Sequence, residues 1–176
     1  ILVINKKHKR FLKNKIKFIH GGKTRQESSF KALNYLKKKK VDNVFIHDAA
    51  RPNLSIKLLK KLNFYIKKNI AVVPYLNSMN STKLISKKKV VNLNRNNILL
   101  TQTPQCFNFK TLFDLSRKNT KEITDESTLF INSNKKIKFI KGDYNNIKIT
   151  KTSDLNNLIK KTSYGIGFDI HRLVKN

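Results

Sequence analysis

The chain has 176 residues, enough for about one domain with a sizeable core. Its 39% apolar content, with eleven Phe and five Tyr, excludes a disordered chain, and its one cysteine, Cys106, excludes an internal disulfide and suits a reducing compartment. No apolar run approaches the roughly 18 residues of a membrane span, so a soluble, cytoplasmic protein is expected.

The opening "ILVIN" and then "KIKFIH" read as short strands. The chain begins at an isoleucine inside an apolar run, and truncation at both ends is expected. "SSFKALNYLKKKK" carries Phe30, Leu33, Tyr35 and Leu36 at close to helical spacing, and "VDNVFIHD" is a buried-type strand. "SIKLLKKLNFYIKKN" predicts an amphipathic helix with Ile56, Leu58, Leu59, Leu62, Tyr65 and Ile66 inward, followed by "IAVVPY", a continuous apolar strand of the kind buried on both faces of a parallel sheet. "TKLISKKKVVNLN" reads as a hairpin or arm with lysines at its turn. Helices are predicted over 110–117 and 125–131, a strand over 136–140, and a last helix after a cap at Thr152, Ser153 or Asp154. Strand and helix alternation of this kind means an α/β sheet.

The formal charge of +29 is the usual footprint of nucleic-acid binding. Here the lysines are spread through every segment, and tracts such as Lys37 to Lys40 are not interleaved with stacking aromatics. That is the pattern of a solvated basic surface, not of a specific nucleic-acid interface.

In open α/β sheets the chemistry lies in loops beyond the carboxyl ends of strands. In "HGGKTRQESS", Gly21 and Gly22 allow backbone N–H groups to approach a ligand and Ser28 offers a hydroxyl; the same residues also suit an ordinary turn with a serine cap. In "HDAARP", Asp48 supplies a carboxylate for Mg²⁺ or a sugar hydroxyl, Ala49 and Ala50 leave space, and Arg51 offers a planar fork for phosphate. A turn with an exposed arginine would read alike. Near the C-terminus, Asp169 and His171 of "GFDIH" stand one residue apart on a predicted strand, which aims both at one face in the manner of metal ligands.

In order and at these separations, "GGKTRQESS", "FIHDAARP", "LNRNNILLTQTPQCF", "ITDES" and "DYNNIKITKTSDL" resemble the 2-C-methyl-D-erythritol 4-phosphate cytidylyltransferase family. The trailing "YGIGFDIHRL" resembles the first strand of the 2-C-methyl-D-erythritol 2,4-cyclodiphosphate synthase family, which is fused behind the cytidylyltransferase in some bacteria. The resemblance implies a Rossmann-like three-layer α/β nucleotidyltransferase sheet with a protruding β-arm, lacking its first strand and glycine-rich loop. It implies a cytidylyltransferase domain over 1–161 and the start of a cyclase over 162–176.

The activity implied is transfer of a cytidylyl group from CTP, with Mg²⁺, to 2-C-methyl-D-erythritol 4-phosphate, releasing pyrophosphate. Gly22, Lys23 through its backbone, and Ser28 match nucleotide contacts; Asp48 matches the carboxylate near ribose, metal and substrate; Ala49 and Arg51 match substrate contacts. Lys148 matches a lysine that stabilises the phosphates in the transition state. Arg95, with Ser78 or Thr82, matches residues that cross from one subunit of a homodimer into its neighbour's pocket. Thr103 and the pair Thr124 and Asp125 match pocket-shaping positions, and are equally suited to turns and caps. Asp169 and His171 match two ligands of a divalent metal, zinc in most members. Cys106 reads as a small core residue, and His8, His20 and His47 as loop or strand-end residues. No "AAGxGxR" loop for the triphosphate occurs in the 176 residues. Another sugar-phosphate nucleotidyltransferase, or a basic nucleic-acid-binding module, stands as the alternative.

Overall fold

The computed structural model describes residues 1–11, 16–86 and 89–158. Its centre is a five-stranded mixed sheet built on β4 (Ala71–Asn77). β9 (Lys138–Lys141) runs parallel to β4 along one edge, with Val72 opposite Lys138 and Tyr75 opposite Lys141. On the other edge two short antiparallel strands share its length: β8 (Gln105–Asn108) lies against Ala71 and Val72, and β7 (Leu99–Thr101) against Tyr75, Leu76 and Asn77. β3 (Asn43–Ile46) completes the sheet antiparallel to β8.

β4, expected as a strand of the parallel-sheet kind, is parallel to β9 and antiparallel to β7 and β8, which were not predicted as strands at all. A central strand ordinarily excludes proline, because the ring removes a ladder donor. Pro74 is tolerated in β4 because it sits where β8 gives way to β7; there its carbonyl accepts from Gln102 N at 2.8 Å. The Thr103–Pro104 peptide in the connection is cis.

Alternation along β4 and β8 divides the core between the two faces of the sheet. Ala71, Val73 and Phe107 face α1 (Arg25–Lys37), α3 (Phe109–Lys118) and α4 (Ser127–Asn132), where Leu33, Leu112, Leu129 and Phe130 are buried. Val72 and Cys106 face α2 (Ile56–Ile66), which buries Leu58, Leu62 and Ile66. The result is the expected three-layer α/β sandwich. Phe107 and Phe130 stack at 4.9 Å between ring centres on the first face.

The apolar stripe of α2 is narrower than its sequence suggests, since Ile56 is 71% exposed and Leu59 also faces solvent. Leu58, Leu62 and Ile66 recur every four residues, which is enough for one line of contact with the sheet. Ser55 caps the helix by accepting from Leu58 N at 3.2 Å. Tyr35 of α1, one of the apolar residues at helical spacing there, is likewise exposed.

Two smaller sheets flank this body. β1 (Leu2–Ile4) and β2 (Phe18–His20) pair in parallel, and β5 (Thr82–Ser86) and β6 (Lys89–Leu93) form the predicted hairpin arm. Among the described residues β1 pairs only with β2 and β3 only with β8, and β1 and β3 both line one cleft of about 620 Å³. The segment Thr152–Leu158, predicted as an α-helix, is a 3₁₀ turn in which Asp154 accepts from Thr150 N and Lys151 N at 2.8 and 2.9 Å.

Candidate active site

β3 ends at Ile46, and the chain then turns through "HDAARP" at the mouth of the cleft. The turn is tied from three directions. Thr103 Oγ1 accepts from Asp48 N at 3.0 Å, Arg51 N donates to Asp48 O at 2.9 Å, and Ile149 N donates to Ala50 O at 2.8 Å. His47 spans the turn, with Nε2 2.9 Å from Arg51 O and Nδ1 3.2 Å from Thr103 Oγ1. A carbonyl only accepts, so Nε2 carries the hydrogen.

Asp48 lies between two cations. Lys148 Nζ is 3.0 Å from Oδ2, and Arg25 Nε is 3.7 Å from Oδ1. Arg25 in turn makes a two-pronged contact with Glu126, at 2.9 and 2.8 Å, and Glu126 is only 2% exposed. Burial works against the Arg25 guanidinium's charge, and the hydrogen bonds and fields of Glu126, Asp48 and Asp125 outweigh it, holding the group above its ordinary value. Burial pulls the Arg51 guanidinium below its ordinary value, opposed in part by Asp48.

Asn146 holds the far wall. It is fully buried, its Nδ2 donates to Thr103 O at 2.7 Å, and its backbone carbonyl accepts from Arg51 Nη1 at 2.8 Å. Lys148, two residues on, is thereby brought beside Asp48. Among the described residues, Arg51 Nε and Asn146 Oδ1 are buried without a hydrogen-bond partner.

The glycine loop packs tightly against the start of α1. A Cβ at Gly22 would collide with Glu27 Cβ, so that position requires glycine. Gly22 N donates to Ser28 Oγ at 3.0 Å and Lys23 N to Glu27 Oε2 at 2.7 Å, so both backbone donors are engaged within the loop. Thr24, not a serine, caps α1, and Ser28 lies one turn inside the helix, where it lines the cleft.

Of the predicted residues, Ser28, Asp48, Ala49 and Lys148 line this one cleft, with Arg51 and Thr103 directly behind it. Ser78, Thr82 and Arg95 are gathered elsewhere, at the base of the arm. Ser78 Oγ is 3.1 Å from Thr82 Oγ1, and Arg95 Nη1 donates to Met79 O at 3.2 Å. Asp125 is a structural acceptor for Ser127 Oγ, Gln105 Nε2 and Thr128 N. Asp169 and His171 lie outside the described residues, and among the described residues no three His, Cys, Asp or Glu side chains come together as a metal site.

Sequence reasoning missed Arg25, Glu126 and Asn146. Only "TRQES" and "ITDES" hinted at the first two, through their place in the resemblance.

Solved structures share this architecture. One, described as 4-diphosphocytidyl-2C-methyl-D-erythritol synthase from Anaerococcus prevotii, superposes with a TM-score of 0.79 at 31% identity over 88% of this chain and 74% of that one. Another, the bifunctional IspDF from Campylobacter jejuni, gives 0.72 at 34% identity over 86% of this chain and 38% of that one. By fold, then, this is an α/β nucleotidyltransferase domain with its acidic, cation-flanked cleft beyond the end of β3.

The sequence model of the IspD family, 2-C-methyl-D-erythritol 4-phosphate cytidylyltransferase, matches residues 1–158, and the chain belongs to that family. A curated relative from Pelagibacter ubique, "Bifunctional enzyme IspD/IspF", is 50% identical over the whole of this chain and 48% of its own length. The protein of the same name from the Wolbachia of Brugia malayi is 35% identical over 89% of this chain and 40% of its own. The chain spans about half the length of these bifunctional relatives. Among the described residues no helix is long and apolar enough to cross a membrane.

Proposed function

We propose that the protein transfers a cytidylyl group from CTP to 2-C-methyl-D-erythritol 4-phosphate, releasing pyrophosphate, as the names of its relatives indicate for them. The observation that carries this reading is Asp48 held between Lys148 and Arg25 at the mouth of a cleft large enough for a nucleotide.

An in-line attack by a phosphate oxygen on the α-phosphorus asks for alignment and charge neutralisation more than for covalent help. Lys148 is 47% exposed, close enough to Asp48 to be aimed and open enough to swing onto a phosphate. Arg51 and the Ala49–Ala50 turn receive the acceptor substrate, with Thr103 holding the turn. Ser28 lines the cleft, and the loop before it, with Gly22 and Lys23, is assigned to the nucleotide on the resemblance alone.

Asp48 fits Mg²⁺. Its Oδ1 has only the 3.7 Å contact, and Mg²⁺ is commonly held by one or two carboxylates with phosphates and water. Bound there, the ion supplies charge neutralisation at the phosphates.

Among the described residues β1 and β3 each leave one edge unpaired at one cleft, which suits a domain of 1–161 able to take a further strand there. Over 162–176, Asp169 and His171 are donors suited to zinc, as two ligands of a cyclase metal site. Ser78, or Thr82, and Arg95 serve the partner's cleft in a homodimer joined by the arm, since none of the three lines the cleft of its own chain.

The test is pyrophosphate release from CTP and 2-C-methyl-D-erythritol 4-phosphate by the full-length protein. Turnover is expected, with a loss of about a hundredfold or more in Lys148→Met and Asp48→Asn, a size usual for removal of one charge-stabilising group. No turnover with CTP, or turnover only with another sugar phosphate, would reassign the domain.

A further inference from the structure

Arg25 is the first residue of α1, yet it reaches the starts and ends of two other elements. Both guanidinium Nη atoms are taken by Glu126, 101 positions away, at the start of α4, and the remaining Nε faces Asp48 at the end of β3. We propose that Arg25, clamped by Glu126, is a positioning residue that orients the Asp48 carboxylate for the reaction.

The argument is geometric. Two parallel N–H···O bonds to one carboxylate fix the plane of a guanidinium. Glu126 is itself almost wholly buried, so the clamp does not wander, and the direction of Nε is fixed with it. The backbone of Asp48 is held separately by Thr103. What remains free is rotation of the carboxylate, and the two cations beside it act on opposite oxygens.

Lys148 is a flexible, half-exposed ammonium that the proposed reaction draws toward phosphate. Arg25 stays. At 3.7 Å it biases Oδ1 without saturating its lone pairs, leaving that oxygen able to receive a metal ion or a hydroxyl. A lysine in its place has no planar fork with which to hold Glu126 and face Asp48 together.

This inference rests on the proposed function, and the experiment separates the two. In the full-length protein Arg25→Met and Glu126→Met are each expected to destabilise, because each leaves a charge unpaired. The double variant Arg25→Met/Glu126→Met replaces the pair by apolar groups and regains much of the lost stability. A merely structural Arg25 would regain its activity too. A positioning Arg25 would not: kcat in the double variant is expected to stay down by about a hundredfold, with KM within about threefold of wild type.

Arg25→Lys, which keeps the charge without the fork, is expected to lose kcat likewise and serves if the double variant does not fold. Wild-type kcat in either variant overturns the inference. If the wild type itself does not turn over, the proposed function fails alone. The Asp48 carboxyl ¹³C resonance then decides: a shift in Arg25→Lys supports the positioning role, and an unchanged line overturns it.

Discussion

Cys106 shows how strongly a place in the sheet sets the chemistry of a side chain. It lies opposite Phe45 and Val72, fully buried under Leu58, Leu62 and Ile66. Burial pushes its thiol up to about 12, against a smaller opposing effect of the Phe107 backbone hydrogen bond. At pH 8 only about one thiol in ten thousand would be the reactive thiolate. A disulfide reagent such as DTNB is therefore expected to label no thiol in the native protein and one in urea; labelling of the native fold at a free-thiol rate would contradict the packing. Asp125 is the converse case. Burial raises its pKa, and hydrogen bonds from Ser127, Gln105 and Thr128 outweigh that and lower it. A folded value below the unfolded one gives stability that is fully present above about pH 4 and lost as pH falls through the folded value. Asp125→Asn is thus expected to lower the urea midpoint at pH 7, with a difference from wild type that narrows below about pH 4; a constant difference at pH 7 and pH 3 would contradict it. Asp48 and Arg51 were legible in the sequence because strand, turn and carboxylate are contiguous there. Arg25 and Glu126 were not, because a pair 101 positions apart has no local signal.

Among the elements, those with a strong period were legible and those defined by their neighbours were not. The hairpin was evident from two apolar runs around a lysine turn. β7 and β8 are three and four residues long and separated by "QTP", and they become strands because β4 offers one edge to both and β3 pairs β8 along its length. The hairpin poses its own question. Ile85 lies opposite Val90 and Leu84 opposite Val91, so the ribbon carries an apolar pair on each face, and all four residues are exposed. A two-stranded ribbon of this kind is marginally stable alone, and exposed apolar patches mark interaction sites. We expect Ile85→Glu/Val90→Glu to leave the thermal midpoint of the body within a few degrees, since neither residue touches its core. Sedimentation velocity should show a dimeric wild type and a monomeric double variant. A wild type that sediments as a monomer, or a double variant that stays dimeric, would remove the arm from the proposed interface.

At the scale of the whole molecule, 39 Lys and Arg face 10 Asp and Glu. The three Lys or Arg ion pairs with carboxylates among the described residues, Arg25 with Asp48 and Glu126 and Lys148 with Asp48, all belong to the candidate active site. Among the described residues most of the basic surface therefore has no carboxylate in contact to offset its charge, and like charge spread over one body opposes compaction. Screening acts over about 30 Å at 0.01 M salt and about 10 Å at 0.1 M, so added salt weakens long-range repulsion between surface lysines first. The site pairs are short and partly buried, and screening reaches them least. Folding should therefore gain stability with sodium chloride, the opposite of a protein held by surface salt bridges. For a domain of this size each kcal/mol recovered raises Tm by about 2–4 °C. Calorimetric scans at 0.01, 0.1 and 0.3 M sodium chloride, roughly spanning that change in screening, are expected to show Tm rising and then levelling off. A Tm that falls with salt would mean that attractive pairs, not repulsion, dominate the surface, and that carboxylates contribute there as well as at the cleft.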